Sequence, residues 1–124
     1  MIRRDGLRNW ATNTMRPRLG SAASDAHMNW WTEYMASADV NATLAFMASV
    51  EDLDLEPLVG SIKVPTLLVT TKTSALASVE AVERWASLIP KASIAVVDGD
   101  AYHLAVAYPD VVAARVKAFI DAHS

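Results

Sequence analysis

The chain has 124 residues, no cysteine, a net charge of −3 and a mean hydropathy of +0.19. This length fits one domain at most, and the lack of cysteine excludes disulfides and thiolate metal sites. The negative balance argues against nucleic acid and anionic membranes as partners. The hydrophobic fraction of 52% is high. It indicates either an apolar surface kept for a partner or a well-packed, alanine-rich domain.

The first eighteen residues are basic, although the chain as a whole is acidic. The charged residues in this stretch are Arg3, Arg4, Arg8, Arg16 and Arg18, against Asp5 alone. They could form a nucleic-acid patch beside Trp10, but a solvated helix face is the interpretation we favour. No stretch has the length of a signal peptide or a membrane span, so a soluble, cytoplasmic protein is expected.

Three helices are predicted in the first half, each beginning at a residue that can cap it. The capping residues are Asp5, Ser24 or Asp25, and Asp39. The first helix should end before Pro17 and Gly20. The apolar faces comprise Leu7, Trp10, Ala11 and Thr14; Met28, Trp31, Thr32 and Met35; and Val40, Leu44, Met47 and Ala48. Helices rich in Trp and Met suit a mobile cover over an apolar pocket, but for each single residue a core-facing stripe is the interpretation we favour.

The second half has the pattern strand, helix, strand, loop, helix. The continuous apolar run at 66–70 predicts a strand buried on both faces, and 93–97 predicts a second strand. Between them Ser78 caps a helix that Pro90 ends, and Pro109 begins the last helix. The buried faces of these helices are Val79, Val82, Ala86 and Ile89, and Val112, Val116, Phe119 and Ile120. The pattern predicts a parallel βαβα unit.

His103 stands in the loop D-G-D-A-Y-H at 98–103, directly after the second strand. Open α/β sheets place their chemistry beyond the carboxyl ends of the strands, so this histidine is the candidate catalytic residue. The other histidines, His27 and His123, are expected to face solvent.

Residues 52–123 resemble the C-terminal part of the α/β-hydrolase family. The resemblance rests on D-L-E-P-L at 54–58, I-K-V-P-T-L-L-V at 62–69, L-I-P-K-A at 88–92, the loop with His103, and Y-P-D at 108–110. It implies an α/β fold with part of the hydrolase architecture. Residues 1–51 would form a helical cap-like segment, and residues 52–124 would form the C-terminal part with two parallel strands (the family's seventh and eighth), flanking helices and the histidine loop.

Two departures from the family pattern stand out. The sequence has no G-x-S-x-G turn to carry a serine nucleophile. The position that matches the family's acid is Ser74, or Thr73 if the register slips by one, and neither can hold the negative charge that orients a catalytic histidine. Asp98 and Asp100 are close to the histidine only along the chain. Asp5 is a weak candidate for an acid after a sixth strand.

The resemblance implies that the chain is the cap and C-terminal part of a serine hydrolase, inactive alone, acting when complete on an ester, lactone or related acyl compound. His103 would be the general base, and the apolar part of the substrate would lie against Trp30, Trp31 and Met35. No metal and no cofactor are expected.

An alternative is a non-catalytic remnant that persists as an oligomerising or small-ligand-binding module, since the nucleophile and the acid are both lacking. The expected partners are therefore a second copy of this chain or a complementary hydrolase chain, with a small apolar acyl compound as ligand. A second copy would pair at the strand edge 66–70, through the apolar helices, or both.

Overall fold

The computed structural model describes residues 2–124, apart from the side chains of Arg4 and Asp5. This part of the chain forms seven helices and two strands. The elements in chain order are α1 (Ile2–Leu19), α2 (Asp25–Ala36), α3 (Val40–Glu51), α4 (Glu56–Val59), β1 (Thr66–Thr71), α5 (Val79–Leu88), β2 (Ala92–Val97), α6 (Leu104–Ala107) and α7 (Pro109–Asp121). Within these residues no helix is both long and apolar enough to cross a bilayer.

The two strands are parallel and in continuous register, with Thr66 opposite Ala92 and Thr71 opposite Val97. Helix α5 connects them, so the predicted strand–helix–strand unit is confirmed. Residues 66–69 of β1 are only half-buried, and its last two residues are buried. The expectation of a strand buried on both faces is therefore wrong for most of β1, because β1 pairs with one strand alone in the described chain.

The chain divides into two compact units. We call the residues up to Arg16 together with Ala23–Asp54 the helical unit, and Pro17–Ala22 together with Leu55–Ser124 the sheet unit. The short segment Pro17–Ala22 thus belongs with the strands, although its first three residues are the last three of α1.

In the sheet unit, the predicted inner face of α5 is confirmed, since Val82 and Ile89 are 5% and 7% exposed. The predicted inner face of α7 is partly wrong. Val116 and Ile120 are 39% and 54% exposed, while Val112 and Phe119 are half-buried. Two strands of six residues offer too narrow a sheet to cover a helix of thirteen residues.

In the helical unit, Leu7, Ala11 and Met15 form the buried face of α1. The helix continues through Pro17 rather than ending before it, and the proline removes one backbone hydrogen bond from its last turn. Gly6, with φ of +82°, interrupts its first turn. The predicted cap at Asp5 lies outside the described side chains.

The caps of the next two helices are confirmed. The Ser24 hydroxyl accepts the His27 N–H at 3.2 Å, and the Asp39 carboxylate accepts the Ala42 N–H at 2.7 Å. Helix α3 nevertheless buries none of its residues, so the buried face predicted for it is wrong. Amphipathic spacing selects a face, but a neighbouring element must be present to cover it.

Candidate active site

His103 is the N-cap residue of α6 and ends the loop that follows β2. The backbone of this loop is held by the segment Pro17–Ala22. The Tyr102 N–H donates to the Pro17 carbonyl at 3.3 Å, and the His103 N–H donates to the Arg18 carbonyl at 2.7 Å. The position of the histidine is therefore fixed by a part of the chain about 85 residues earlier.

A second contact joins the same segment to the loop. The Ser21 N–H donates to both carboxylate oxygens of Asp100 at 3.0 Å, and this bond is the main cause that lowers the pKa of Asp100. Gly20 is buried with φ of +79°, and a Cβ at this position would meet the Asp100 carboxylate and lie 2.9 Å from the Ala101 nitrogen. Only glycine fits between the segment and the loop.

Threonines at the end of β1 hold the other side of the histidine loop. Thr71 is fully buried, and its hydroxyl donates to the Ala101 carbonyl at 2.9 Å. Thr73 donates to the Gly99 carbonyl through its N–H at 3.2 Å and its hydroxyl at 3.1 Å. The loop is therefore hydrogen-bonded on one side to β1 and on the other to Pro17–Ala22.

The imidazole of His103 faces a guanidinium. Nη1 of Arg18 lies 3.3 Å from Nε2 of His103. A guanidinium can only donate, so Nε2 accepts the bond and the neutral ring carries its proton on Nδ1. Partial burial of the ring, followed by the charge of Arg18, lowers the pKa of His103 from its ordinary value of 6.5. A lowered pKa favours the neutral ring, which is the protonation state that a general base needs.

A cleft of about 470 Å³ lies beside this histidine. It combines apolar walls with a few hydroxyl groups, as small-molecule sites do. Its lining residues are Leu68, Val69, Thr70, Ser74, Ala77, Val82, Trp85, Tyr102, His103 and Leu104. The structure thus brings Ser74, the position that matches the family's acid, into the same cleft as His103.

Ser74 has a structural contact of its own. Its hydroxyl accepts the Leu76 N–H at 3.4 Å and the Ala77 N–H at 3.3 Å, which closes the turn after β1. A hydroxyl in this place supports the turn but offers the imidazole no negative charge.

The carboxylates next to the histidine in sequence are engaged elsewhere. Asp98 forms an exposed ion pair with Lys72 at 2.5 Å, and this bond lowers the pKa of Asp98. Asp100 accepts the Ser21 amide, as described above. The side chain of Asp5 lies outside the described residues. The geometry therefore gives neither loop aspartate the role of orienting the His103 ring.

The residues predicted to bind substrate belong to the helical unit. The rings of Trp30 and Trp31 meet edge to face at 5.1 Å, and Trp30 is 59% exposed. The Trp31 indole N–H donates to Nε2 of His27 at 3.1 Å, so His27 is half-buried rather than solvent-facing as expected. Met35 lines a cleft of about 380 Å³ within this unit. The substrate-binding role of these residues stays a prediction.

The residues that sequence analysis missed are Arg18, Gly20 and Ser21. Pro17 and Gly20 were interpreted only as the end of a helix, which is a local signal. Their partners in the histidine loop lie about 80 residues further along the chain. Nothing in the local pattern of one sequence indicates a contact at that separation.

The sequence matches no protein-family model and no curated protein to which it was compared. Solved structures do match its fold. An esterase from Thermogutta terrifontis (malate bound) is 20% identical with a TM-score of 0.82, and the match covers 99% of this chain and 47% of the esterase chain. A hydrolase from Oleispira antarctica is 18% identical with a TM-score of 0.86, and the match covers 97% of this chain and 44% of the hydrolase chain.

An enol-lactonase from Burkholderia xenovorans is 19% identical with a TM-score of 0.85, and the match covers 96% of this chain and 46% of the lactonase chain. The chain therefore has part of the α/β-hydrolase fold, with two parallel strands and flanking helices, as the resemblance implied. It spans less than half the length of these similar structures.

Proposed function

We propose that this chain supplies the general base and the cap of a serine α/β-hydrolase whose nucleophile lies in the polypeptide that completes the fold. That polypeptide is either the remainder of the same chain or a separate one. The observation that carries the proposal is the position of the His103 imidazole, which lies beyond the carboxyl end of β2 and lines a largely apolar cleft. The similarity in fold to esterases and an enol-lactonase supports it.

In this proposal Nε2 of His103 takes the proton of the serine hydroxyl as the serine oxygen bonds to the acyl carbon. The same proton then passes to the alkoxide oxygen of the leaving alcohol as the acyl–oxygen bond breaks. Water repeats the two steps and releases a carboxylic acid. Arg18 must move away from Nε2 for the base to accept this proton, since its guanidinium occupies the lone pair.

The substrate in this proposal is an ester, a lactone or a related acyl compound with an apolar portion. Leu68, Trp85 and Leu104 line the cleft with apolar atoms near the histidine. In the helical unit, Trp30 offers exposed aromatic surface and Trp31 lies half-buried against it, and aromatic surface of this kind suits contact with the apolar portion of such a compound.

The 124-residue chain alone should not hydrolyse activated esters, because it has no serine turn and no oxyanion hole beside one. The assay is 4-nitrophenyl acetate hydrolysis with fluorophosphonate labelling. We expect neither a burst of nitrophenol nor a covalent label. A stoichiometric burst that the phosphonate abolishes would contradict this part of the proposal.

The chain purified together with the polypeptide that completes it should take up one phosphonate label on a serine of that polypeptide. His103→Gln should reduce the labelling rate by about two to four orders of magnitude, the usual contribution of a general base. His123→Gln is the matched control. His123 is exposed, follows the end of α7, and is bonded through its ring to the carbonyl of Phe119. Equal labelling of the His103→Gln and His123→Gln forms would refute the catalytic role of His103.

A second function, an oligomerising module, is favoured by the exposed face of α7. Val116 and Ile120, four residues apart on one face of this helix, are 39% and 54% exposed, and exposed apolar side chains of this kind suit pairing with a second copy of the chain. Light scattering over a dilution series tests it. A monomer at every concentration would exclude self-association.

A further inference from the structure

The helical unit contains a cleft of about 380 Å³ that is separate, in its residues, from the cleft of His103. All of its lining residues belong to the helical unit. Leu7 and Trp10 come from α1, Tyr34 and Met35 from α2, and Thr43 from α3. Three helices therefore contribute to one cleft, and its volume lies within the range of small-molecule sites.

The walls of this cleft are aromatic and aliphatic. Trp10 contributes an indole, Met35 a thioether, and Leu7, which is 4% exposed, an aliphatic surface. The ring of Tyr34 is held in place by stacking on Trp30, with the ring centroids 5.5 Å apart. Aromatic rings pack well against one another and against a thioether sulfur, so these walls favour a ligand with an aromatic body.

Charge at the cleft favours a neutral ligand. Among the described residues that line it, none carries an acidic, basic or imidazole side chain. A charged ligand would give up hydration without gaining an opposite charge, and that loss is costly in an apolar setting.

Two aliphatic hydroxyl groups belong to the lining residues, and each already donates its proton. The Ser37 hydroxyl donates to the Tyr34 carbonyl at 2.7 Å, and the Thr43 hydroxyl donates to the Asp39 carbonyl at 2.8 Å. A hydroxyl has one proton and two acceptor lone pairs, so both oxygens can only accept from a ligand. The phenol of Tyr34 can donate or accept and serves either kind of ligand.

We propose that this cleft binds a neutral aromatic alcohol. The aromatic body lies against Trp10 and Met35, and the ligand hydroxyl donates to the oxygen of Ser37 or Thr43. This site does not rest on the proposed hydrolase activity, since it needs neither a serine nucleophile nor a second polypeptide.

The experiment is an NMR titration of the 124-residue chain with 1-phenylethanol, acetophenone and benzoate, three compounds of nearly equal size. The indole N–H signal of Trp10 reports this cleft, and that of Trp85 reports the cleft of His103. We expect 1-phenylethanol to bind about 3- to 10-fold more tightly than acetophenone, which has no donor. Benzoate should bind at least about 10-fold more weakly than 1-phenylethanol because it is charged. Equal affinities for the alcohol and the ketone, or no saturable shift at Trp10 up to about 20 mM, would overturn the proposal.

A substitution that fills the cleft locates the binding. Ala38 lines the cleft and is exposed, so Ala38→Phe should reduce the affinity for 1-phenylethanol by about 10-fold or more. Ala48→Phe, at an exposed position of α3 outside the lining, is the matched control and should not change it. Trp10 also lines a second cleft, of about 330 Å³, together with Leu44 but without Ala38. Equal affinity in the two variants would therefore refute the assignment to this cleft.

Removal of the two acceptors tests the role of the ligand hydroxyl. The double variant Ser37→Ala, Thr43→Val should bind 1-phenylethanol and acetophenone equally, with the affinity for acetophenone unchanged within about twofold. A preference for the alcohol that persists in this variant would contradict the proposed hydrogen bond. If circular dichroism shows that Ala38→Phe does not fold, loss or retention of this preference decides the location, since Ser37 and Thr43 do not line the second cleft.

Discussion

Gly20→Ala tests whether the segment Pro17–Ala22 holds the histidine loop. Gly20 is buried at φ of +79°, a left-handed conformation that costs an alanine about 1–2 kcal/mol. The new Cβ would also meet the Asp100 carboxylate and come within 2.9 Å of the Ala101 nitrogen. These are a loop carboxylate and a backbone atom, and the backbone cannot yield by a rotamer change.

The second part of the destabilisation by Gly20→Ala comes from the hydrogen bond between Ser21 and Asp100, which the new Cβ would displace. The Ser21 N–H donates to both oxygens of Asp100 at 3.0 Å, and a hydrogen bond to a charged group is worth about 1.5–3 kcal/mol. Because Asp100 is half-exposed, water recovers part of that loss, so we use the lower end, about 1.5 kcal/mol. The two costs add to about 2.5–3.5 kcal/mol at the loop.

Native-state hydrogen exchange is the assay, since it reports opening at individual amides. The amides to follow are those of Tyr102 and His103, which donate to the carbonyls of Pro17 and Arg18. A loss of about 2.5–3.5 kcal/mol should speed their exchange by about two orders of magnitude.

Gly6→Ala is the matched control. Gly6 also has a positive φ, of +82°, but apart from its chain neighbours no atom of the described residues lies within 4 Å of a Cβ built there, and it belongs to the helical unit. It should carry backbone strain of about 1–3 kcal/mol and leave the Tyr102 and His103 amides unchanged. Exchange at these two amides within about twofold of the unmodified rate in Gly20→Ala would refute the reasoning.

Three further predictions concern the same unit. Thr71→Val should lower the free energy of unfolding by about 1–3 kcal/mol, because the buried Ala101 carbonyl of the histidine loop loses its donor. The control Thr66→Val should change the free energy of unfolding by no more than about 0.5 kcal/mol. Urea denaturation measures both. The pKa of Asp100 is lowered by the Ser21 amide, so its contribution is present above the ordinary carboxyl pKa and is lost as pH falls through the folded value. Asp100→Asn should therefore flatten the acid limb of a stability profile, and an unchanged limb would contradict this. Ile120→Lys should leave the circular dichroism spectrum unchanged, because the side chain is 54% exposed, and should weaken any self-association seen by light scattering.

The features that sequence predicted best are those whose partners are local. Ser24, Asp39 and Ser78 each cap a helix by accepting an N–H three residues later. The sequence predicted Asp39 and Ser78 as caps, and either Ser24 or Asp25 for the second helix. The strand–helix–strand order was predicted for the same reason, because periodicity, turns and caps all act within one element and its ends.

Features that depend on distant parts of the chain were not predictable. The faces of α3 and α7 have apolar spacing, but Phe46 and Ile120 are 66% and 54% exposed because burial is decided by what lies opposite. At the candidate site, the position of His103 in the loop after the second strand was predicted from the strand pattern, because a strand and the loop that follows it are neighbours in sequence. The guanidinium of Arg18, 85 residues earlier, gave no signal in the pattern around either residue.

Because Pro17–Ala22 belongs to the sheet unit, substitutions in this segment and substitutions in residues 23–54 have different consequences for the histidine loop. Residues 23–54 are inserted between this segment and the rest of the sheet unit, while the bonds that hold Tyr102 and His103 come from Pro17 and Arg18, outside the insertion. Sequence drift or deliberate randomisation within 23–54 therefore leaves the donors and acceptors of the histidine loop unchanged. A library confined to those residues can vary the helical surface without altering these anchors.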